Sequence, residues 1–298
     1  MVGAIGVIGY KFFDQTYELL SYRNRSKFGT KREIDHTQVK EMQEKTFPQT
    51  FNNYDNDKEK ILISPHGPDP VFYGIRGENP SSLISASKLL KPEEKLDGYL
   101  IFKSNQGTGD HLKNLINSEN FKPYTSGTIT GIVIKSPVVI KGGHVFFSIQ
   151  SKNDIFRCGV YKPTKITDIA KNLIVGDKIK IGGGVRKATK TFQRLINIEF
   201  INVLKLEKKY QIINPFCNKC KKRMKSKGQN QGYQCIKCGK KAIKKQVIKI
   251  PRLISKKLYI PVISAHRHLT RPKQRLNTIN QKNQFSRRIQ WISKFWIK

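Results

Sequence analysis

From Lys208 to Lys298 the chain contains no aspartate and no glutamate. Such an unbroken cationic field excludes a charge-balanced surface and points to a polyphosphate partner. The shortage of acid is confined to the rear. Residues 1–120 carry sixteen basic and sixteen acidic side chains, so the formal net charge of +36 belongs wholly to residues 121–298. The front reads as an ordinary globular unit and the rear as a nucleic-acid-binding unit.

Long apolar runs are also missing. No stretch approaches the ~20 apolar residues that a membrane span requires, and the apolar start is shorter than a signal core with its flanks. No membrane partner is expected. Cysteine is scarce, with five in 298 residues, which points to a reducing, cytoplasmic setting. Cys158 stands alone in an apolar, strand-like stretch and reads as a small buried hydrophobe. A glycine-rich phosphate loop is absent: Gly3, Gly6 and Gly9 fit neither a P-loop nor a dinucleotide fingerprint. Small residues at helical spacing over 3–13 suggest a closely packed helix instead. There is no internal repeat.

The other four cysteines organise the rear of the chain. Cys217 pairs with Cys220 and Cys235 with Cys238, each pair with two residues between, across a fourteen-residue spacer. Two intervening residues let both sulfurs of a turn face one centre, and two such turns complete the tetrahedral site of a structural zinc. Gly239 follows the second pair, where a knuckle needs positive φ. The spacer is polar and holds two glycines, as at the tip of a hairpin with no apolar core. Two disulfides or a redox pair are the rival readings. The lack of a secretory signal and of a thioredoxin-like βαβ pattern argues against both. The metal therefore folds this piece and does no chemistry.

Along the front, residues 17–23 alternate like a strand, and residues 35–46 read as a helix capped by Asp35. A short strand at 61–64 runs into the proline loop 65–70, and a second strand covers 71–77. Asn79 and Pro80 open a helix to about residue 90, and a third strand at 96–103 ends in the glycine loop 104–111. This order is an α/β pattern whose polar residues fall on loops at strand ends. Those loops supply the candidate catalytic residues His66, Asp69, Arg76, Asn105, Gln106, Thr108, Asp110 and His111. Arg76, between glycines, suits a phosphate, and Asp69 suits a guanidinium, either that of Arg76 or that of a ligand. The bland alternative is that these residues cap strands and hold turns.

Residues 121–208 hold five strands, with a short helix at 167–173 before the fourth. That is the order of an OB-fold barrel. A small β-sandwich is the rival, and the turn Gly176-Asp177-Lys178 into an alternating strand favours the barrel. Phe146, Phe147, Phe156 and Tyr161 lie on its strands, and about half must face the core. Outward rings would stack on bases. Lys135, Lys141, Arg157, Arg186, Lys187, Lys190 and Arg194 would follow phosphates. Beyond the cysteines, His266, Arg267, His268 and Arg271 would contact RNA or pack on the ribbon. The basic stretch 273–298, with Phe285, Trp291, Phe295 and Trp296, is a docking helix or an arm. The expected fold is α+β and multidomain: a partial α/β domain over 1–120, an OB-fold β-barrel over 121–208, a four-cysteine zinc ribbon over 209–255 and a basic C-terminal segment over 256–298.

Several stretches together resemble one family: Tyr17-Glu-Leu-Leu-Ser-Tyr-Arg23, His66-Gly-Pro-Asp-Pro-Val-Phe-Tyr-Gly-Ile-Arg-Gly77, Asn105-Gln-Gly-Thr108 with His111 and Leu112, the barrel, the ribbon, and Ala265-His-Arg-His-Leu-Thr-Arg-Pro272. They are similar to the archaeal tRNA 2-agmatinylcytidine synthetase (TiaS) family. The resemblance implies use of ATP and agmatine to modify the wobble cytidine of the isoleucine tRNA with a CAU anticodon. In that family a kinase-like domain carries an Asp-Asp-Thr-Asp motif for metal and ATP, and this sequence has no such motif. The resemblance therefore implies that the front is a remnant of the catalytic domain with the ferredoxin-like insertion absent. The chain would hold tRNA and carry structural zinc, either as one half of a split enzyme, with a separate ATP-binding subunit that supplies the use of ATP, agmatine and magnesium, or as a truncated product. The alternative is a non-catalytic OB-fold and zinc-ribbon protein that grips nucleic acid.

Overall fold

A computed structural model describes residues 11–190 and 193–281. The helix expected over 3–13 falls almost wholly outside the described residues, as does the aromatic end of the tail from 282 onward. The chain divides into two compact units, Met1–Leu115 with Ile260–Lys298, and Ile116–Tyr259. The C-terminal segment expected to stand alone thus belongs to the first unit as far as it is described.

In the first unit, strand β1 (Thr16–Arg23) buries Tyr17 and Leu19 on one face and turns Glu18 and Leu20 to the other. This is the two-residue period of a pleated strand. Helix α1 (His36–Thr46) starts at Asp35, whose carboxylate accepts from the Thr37 N–H. Short strands β2 (Thr50–Phe51), β3 (Tyr54–Asp55) and β4 (Lys60–Ile61) lead to β5 (Val71–Gly77). Asn79 caps helix α2 (Pro80–Ser87), which has proline in its first turn, and β6 (Leu96–Ser104) follows.

The sheet order is β2-β5-β1-β6, and every neighbouring pair is antiparallel. Because β5 and β6 both run against β1, they are parallel to one another, and α2 crosses between them. Strand, helix, two strands, helix, strand in this order is the split βαβ, ferredoxin-like arrangement. The front is therefore not a remnant lacking that unit; it forms the unit with its own core. Helix residues Val39, Met42, Leu83 and Ala86 pack with Tyr17, Leu19 and Ile75 to close one face. The sequence periodicity could show the strands but not that the first slots between the last two.

The second unit begins with β7 (Ser126–Val139), β8 (Val145–Ser151) and β9 (Asp154–Val160). The short helix α3 (Thr167–Ala170) precedes β10 (Lys178–Arg186) and β11 (Leu195–Lys205). The order β10-β7-β8-β9-β11, with β10 pairing back onto β11, closes a five-stranded barrel. A Cβ at Gly183 would lie 2.1 Å from the Asn197 carbonyl oxygen, so only glycine lets β10 press so closely on β11 at its bulge. The turn into β10 is held by Asp177, fully buried, which accepts from the Ile174 and Glu207 N–H groups and pairs with Arg252 at 2.6 Å.

Strand β12 (Lys209–Ile213) opens the cysteine-bearing part. Strands β13 (Phe216–Cys217) and β14 (Lys222–Arg223) form the first hairpin, and β15 (Lys225–Ser226), β16 (Tyr233–Gln234) and β17 (Lys241–Ala242) a small sheet. Strand β18 (Gln246–Ile250) returns to pair with β12, and β19 (Leu258–Tyr259) adds to β11. Among the described residues no helix is long and apolar enough to cross a membrane.

Candidate functional site

The uncovered face of the first sheet is the floor of a pocket of about 750 Å³. Glu18 on β1 and Arg76 on β5 are directly opposite in register and form an ion pair at 3.0 Å. The other Glu18 oxygen accepts from Gln106 Nε2 at 2.5 Å, and Arg76 Nη2 lies 3.0 Å from His268 Nδ1. His66 and Asp69 line the same pocket from the proline loop, and His266, Arg267 and His268 from the C-terminal segment. The structure thus brings together residues expected to serve catalysis and residues expected to contact RNA or the ribbon. Glu18, the centre of the cluster, was not legible as a site residue; its signal was an acid on the outward phase of an apolar strand.

Asp69 does not pair with Arg76. It lies 3.4 Å from Arg32, and its side chain accepts from the Val71 N–H. Arg32 organises the proline loop by donating to the carbonyls of Gly67, Asp69 and Val71. Thr108 is buried and ties the glycine loop through the Asn105 carbonyl at 2.6 Å. Asp110 and His111 belong to a short 3-10 turn, Asp110–Leu112, where Asp110 pairs with Lys113. Of the glycine-loop candidates Gln106 joins the Glu18 cluster, Asn105 and Thr108 tie the loop together, and Asp110 and His111 lie in the turn that follows.

A strap formed by residues 266–280 holds that loop in place. The Gly107 and Gly109 N–H groups donate to the His268 and Leu269 carbonyls, each at 2.8 Å. Arg271 donates to the Thr108 carbonyl and Arg275 to the Gly107 carbonyl. Both guanidiniums converge on Asp14, and Arg275 also binds Glu78. Burial lowers the Arg271 pKa. Burial opposes the charge on Arg275 too, but the hydrogen bonds of Glu78 and Asp14 outweigh it and raise its pKa.

His266 begins the strap, with Nδ1 3.3 Å from Asn52 Nδ2 and Nε2 3.1 Å from the Pro261 carbonyl. These partners require a neutral ring protonated at Nε2. Desolvation lowers its pKa, against a smaller opposing pull from the Pro261 carbonyl and Asp55. The unfolded chain, with the ordinary value near 6.5, therefore binds more protons than the folded one in mild acid. Stability should fall as pH drops below about 6.5. Melting curves at neutral pH and in mild acid check this: His266→Gln should flatten that part of the pH dependence, and an unchanged profile would refute it.

The four cysteine sulfurs lie within 4.8 Å of one another. Four thiolates around zinc at about 2.3 Å stand roughly 3.8 Å apart, so the donor set fits the ion. The Lys221 and Gly239 N–H groups close two knuckles onto the Cys217 and Cys235 carbonyls, with Gly239 at φ +69°. Backbone N–H groups of Cys238 and Lys237 lower the Cys235 thiol to about 6 and so favour the ligating thiolate.

On the barrel, alternation divides the aromatic candidates. Phe147 and Phe156 join the core, while Phe146 and Tyr161 lie outside it, their ring centroids 6.2 Å apart. Phe146 is only 9% exposed, so most of its surface is already covered. Arg157 stands over Phe146, and Arg186 over Tyr161 with a hydrogen bond to its hydroxyl. Lys135, Lys187 and Lys190 are not buried.

A family model described as the TiaS FLD domain matches residues 1–111, and one described as the TiaS C-terminal zinc ribbon domain matches residues 214–254. The isoleucine-tRNA 2-agmatinylcytidine synthetase TiaS of Cenarchaeum symbiosum is 46% identical over 295 residues, 99% of this chain and 66% of that protein. The chain belongs to the TiaS family. The synthetase of Methanocaldococcus jannaschii is 41% identical over 94% of this chain and 65% of its own length. The crystal structure of TiaS in complex with its isoleucine tRNA and ATP superposes with a TM-score of 0.81 at 35% identity, over 94% of this chain and 65% of that one. The complex of TiaS with the same tRNA, AMPCPP and agmatine gives 0.78 at 33% identity, over 94% and 65%. The chain spans about two thirds of the length of the curated relatives it matches.

Proposed function

We propose that this chain binds tRNA and serves the ATP-dependent joining of agmatine to cytidine in an isoleucine tRNA, the activity that names its relatives. The observation that carries this reading is the convergence of Glu18, Arg76, Gln106 and His268 from four parts of the chain. A module that only grips RNA has no need of a pocket fixed by a buried strap. The carboxylates of Glu18 and Asp69 suit the cationic ends of agmatine, and Arg76 with His268 suits a phosphate. The barrel, read as an OB-fold over 121–208, and the ribbon over 209–255 supply the cationic grip on tRNA. The relatives are single, longer chains, which favours one polypeptide over a separate ATP-binding subunit for this chemistry.

One observation favours the narrower reading of a pure RNA binder. Among the described residues the four cysteines are the one group of three or more potential metal-ligating side chains. The described residues therefore hold no group of three carboxylates, as an all-protein metal cage would need. The deciding experiment gives the protein the isoleucine tRNA with a CAU anticodon, ATP, magnesium and labelled agmatine, alone and with the ATP-binding portion of a relative added. Label entering tRNA in the supplemented reaction, and its loss in Glu18→Gln, is the expected result. No incorporation in either arm, with tRNA still bound, would leave the binding module.

A further inference from the structure

Resting on the reading that the chain binds RNA, we infer that a groove on the barrel seats an unpaired RNA segment. Bases would lie against the Phe146 ring and the Phe121 ring, with flanking phosphates on Arg157, Arg194 and Lys135. The groove has a volume of about 700 Å³ and lies wholly on the second unit.

Its geometry comes from a glycine. Phe146 on β8 is directly opposite Gly159 on β9, and a Cβ there would lie 2.9 Å from the ring. The ring therefore packs against the Gly159 backbone, in the space a side chain there would fill. The Arg157 guanidinium lies over it, 5.9 Å from the ring centroid. At the other end Arg194 takes the same position over Phe121 at 5.8 Å and donates to the Phe121 carbonyl. Each guanidinium occupies the place where a base would stack, and can turn to a phosphate when a base arrives.

The rest of the lining fits the same ligand. Val138 and Ile155 are 60% and 62% exposed, an apolar bed left open to solvent. No aspartate or glutamate lines the groove, and among the described residues no carboxylate pairs with Arg157, Arg194 or Lys135. Cations without anions beside partly covered rings and exposed aliphatic surface suit a strand that presents both phosphates and base faces. A double helix presents its phosphates but keeps its base faces stacked away.

The test uses the full chain and a fluorescent oligouridylate, with an RNA hairpin of equal charge as comparison. The double variant Arg157→Gln/Arg194→Gln should lose about tenfold in oligouridylate affinity, and its salt slope should fall by roughly 1.4, at ~0.7 per lost phosphate contact. Hairpin binding should change by less than about threefold, as should both ligands in the control Lys40→Gln/Lys45→Gln, on the exposed side of helix α1 in the first unit. Ile155→Ser, an exposed change that spares the fold, should weaken oligouridylate alone. Zinc content and melting temperature equal to the parent's certify the variants. Equal losses for both RNAs, or displacement by an acidic peptide and not by oligouridylate, would overturn the inference. If the parent binds tRNA but ignores oligouridylate, the groove inference fails alone; if it binds neither, the proposed function fails first.

Discussion

Exchanging Arg275 for methionine is expected to cost the first unit about 3–5 kcal/mol, because it strands the Glu78 carboxylate and leaves buried Asp14 with Arg271 alone. The Arg275 side chain is 1% exposed and bridges Asp14, which is fully buried, and Glu78 at 16%. It also donates to the Gly107 carbonyl at 2.8 Å. Against a domain stability of about 5–15 kcal/mol, that loss is a large share. Lysine should rescue little, since one ammonium cannot reproduce a planar fork that serves two carboxylates and a carbonyl. Adding Glu78→Gln to Arg275→Met should recover part of the loss, because Asp14 keeps Arg271 and the carboxylate left without a partner is then removed. Urea and thermal unfolding read both effects. Parent-like unfolding of Arg275→Met would show that the network holds nothing. The functional consequence follows from the same bonds: without Arg275 the glycine loop loses an anchor beside Gln106, and Gln106 is what holds the second oxygen of Glu18.

What the sequence made legible was local. Asp35 and Asn79 cap helices where their side chains find an N–H two or three residues on, so the signal and its partner are neighbours. The cysteine spacing is likewise a local statement, and all four sulfurs meet. The barrel strands showed through alternation, down to the burial of Phe147 and Phe156 beside the outer Phe146. What stayed hidden were partners distant along the chain. Arg275 meets Asp14 across 261 residues, and neither has a pattern that announces the other. His268 reaches Arg76 across 192 residues, so two stretches assigned to different tasks share one pocket. The place of β1 between β5 and β6 is hidden for the same reason, because periodicity reports which face a residue takes and not which strand lies beside it.

Those distant contacts divide the labour of the chain. The first unit is held by hydrophobic core and a buried ion network, and it can shape a pocket because both are rigid. The ribbon has neither. Its buried cluster is Cys217, Met224 and Cys235, with Tyr233 and Ala242 partly buried against it, far too little apolar surface to offset the ordering of the chain around it. The ion must supply that difference, and structural zinc contributes on the order of 10–16 kcal/mol in such sites. Cys235→Ser, or a strong chelator, should therefore release zinc and leave residues 214–245 unfolded. The barrel, whose core includes none of the four cysteines, should keep its melting transition. Trypsin supplies the local readout, since Lys221, Lys222 and Arg223 are exposed but held in or beside the first hairpin. Cleavage there should accelerate by at least about a hundredfold when the metal leaves, as opening passes from rare to constant. Affinity for tRNA should fall with it, because the cations remain but no longer stand in a fixed array. Full zinc retention and unaltered proteolysis in Cys235→Ser would show that something other than the metal folds the ribbon.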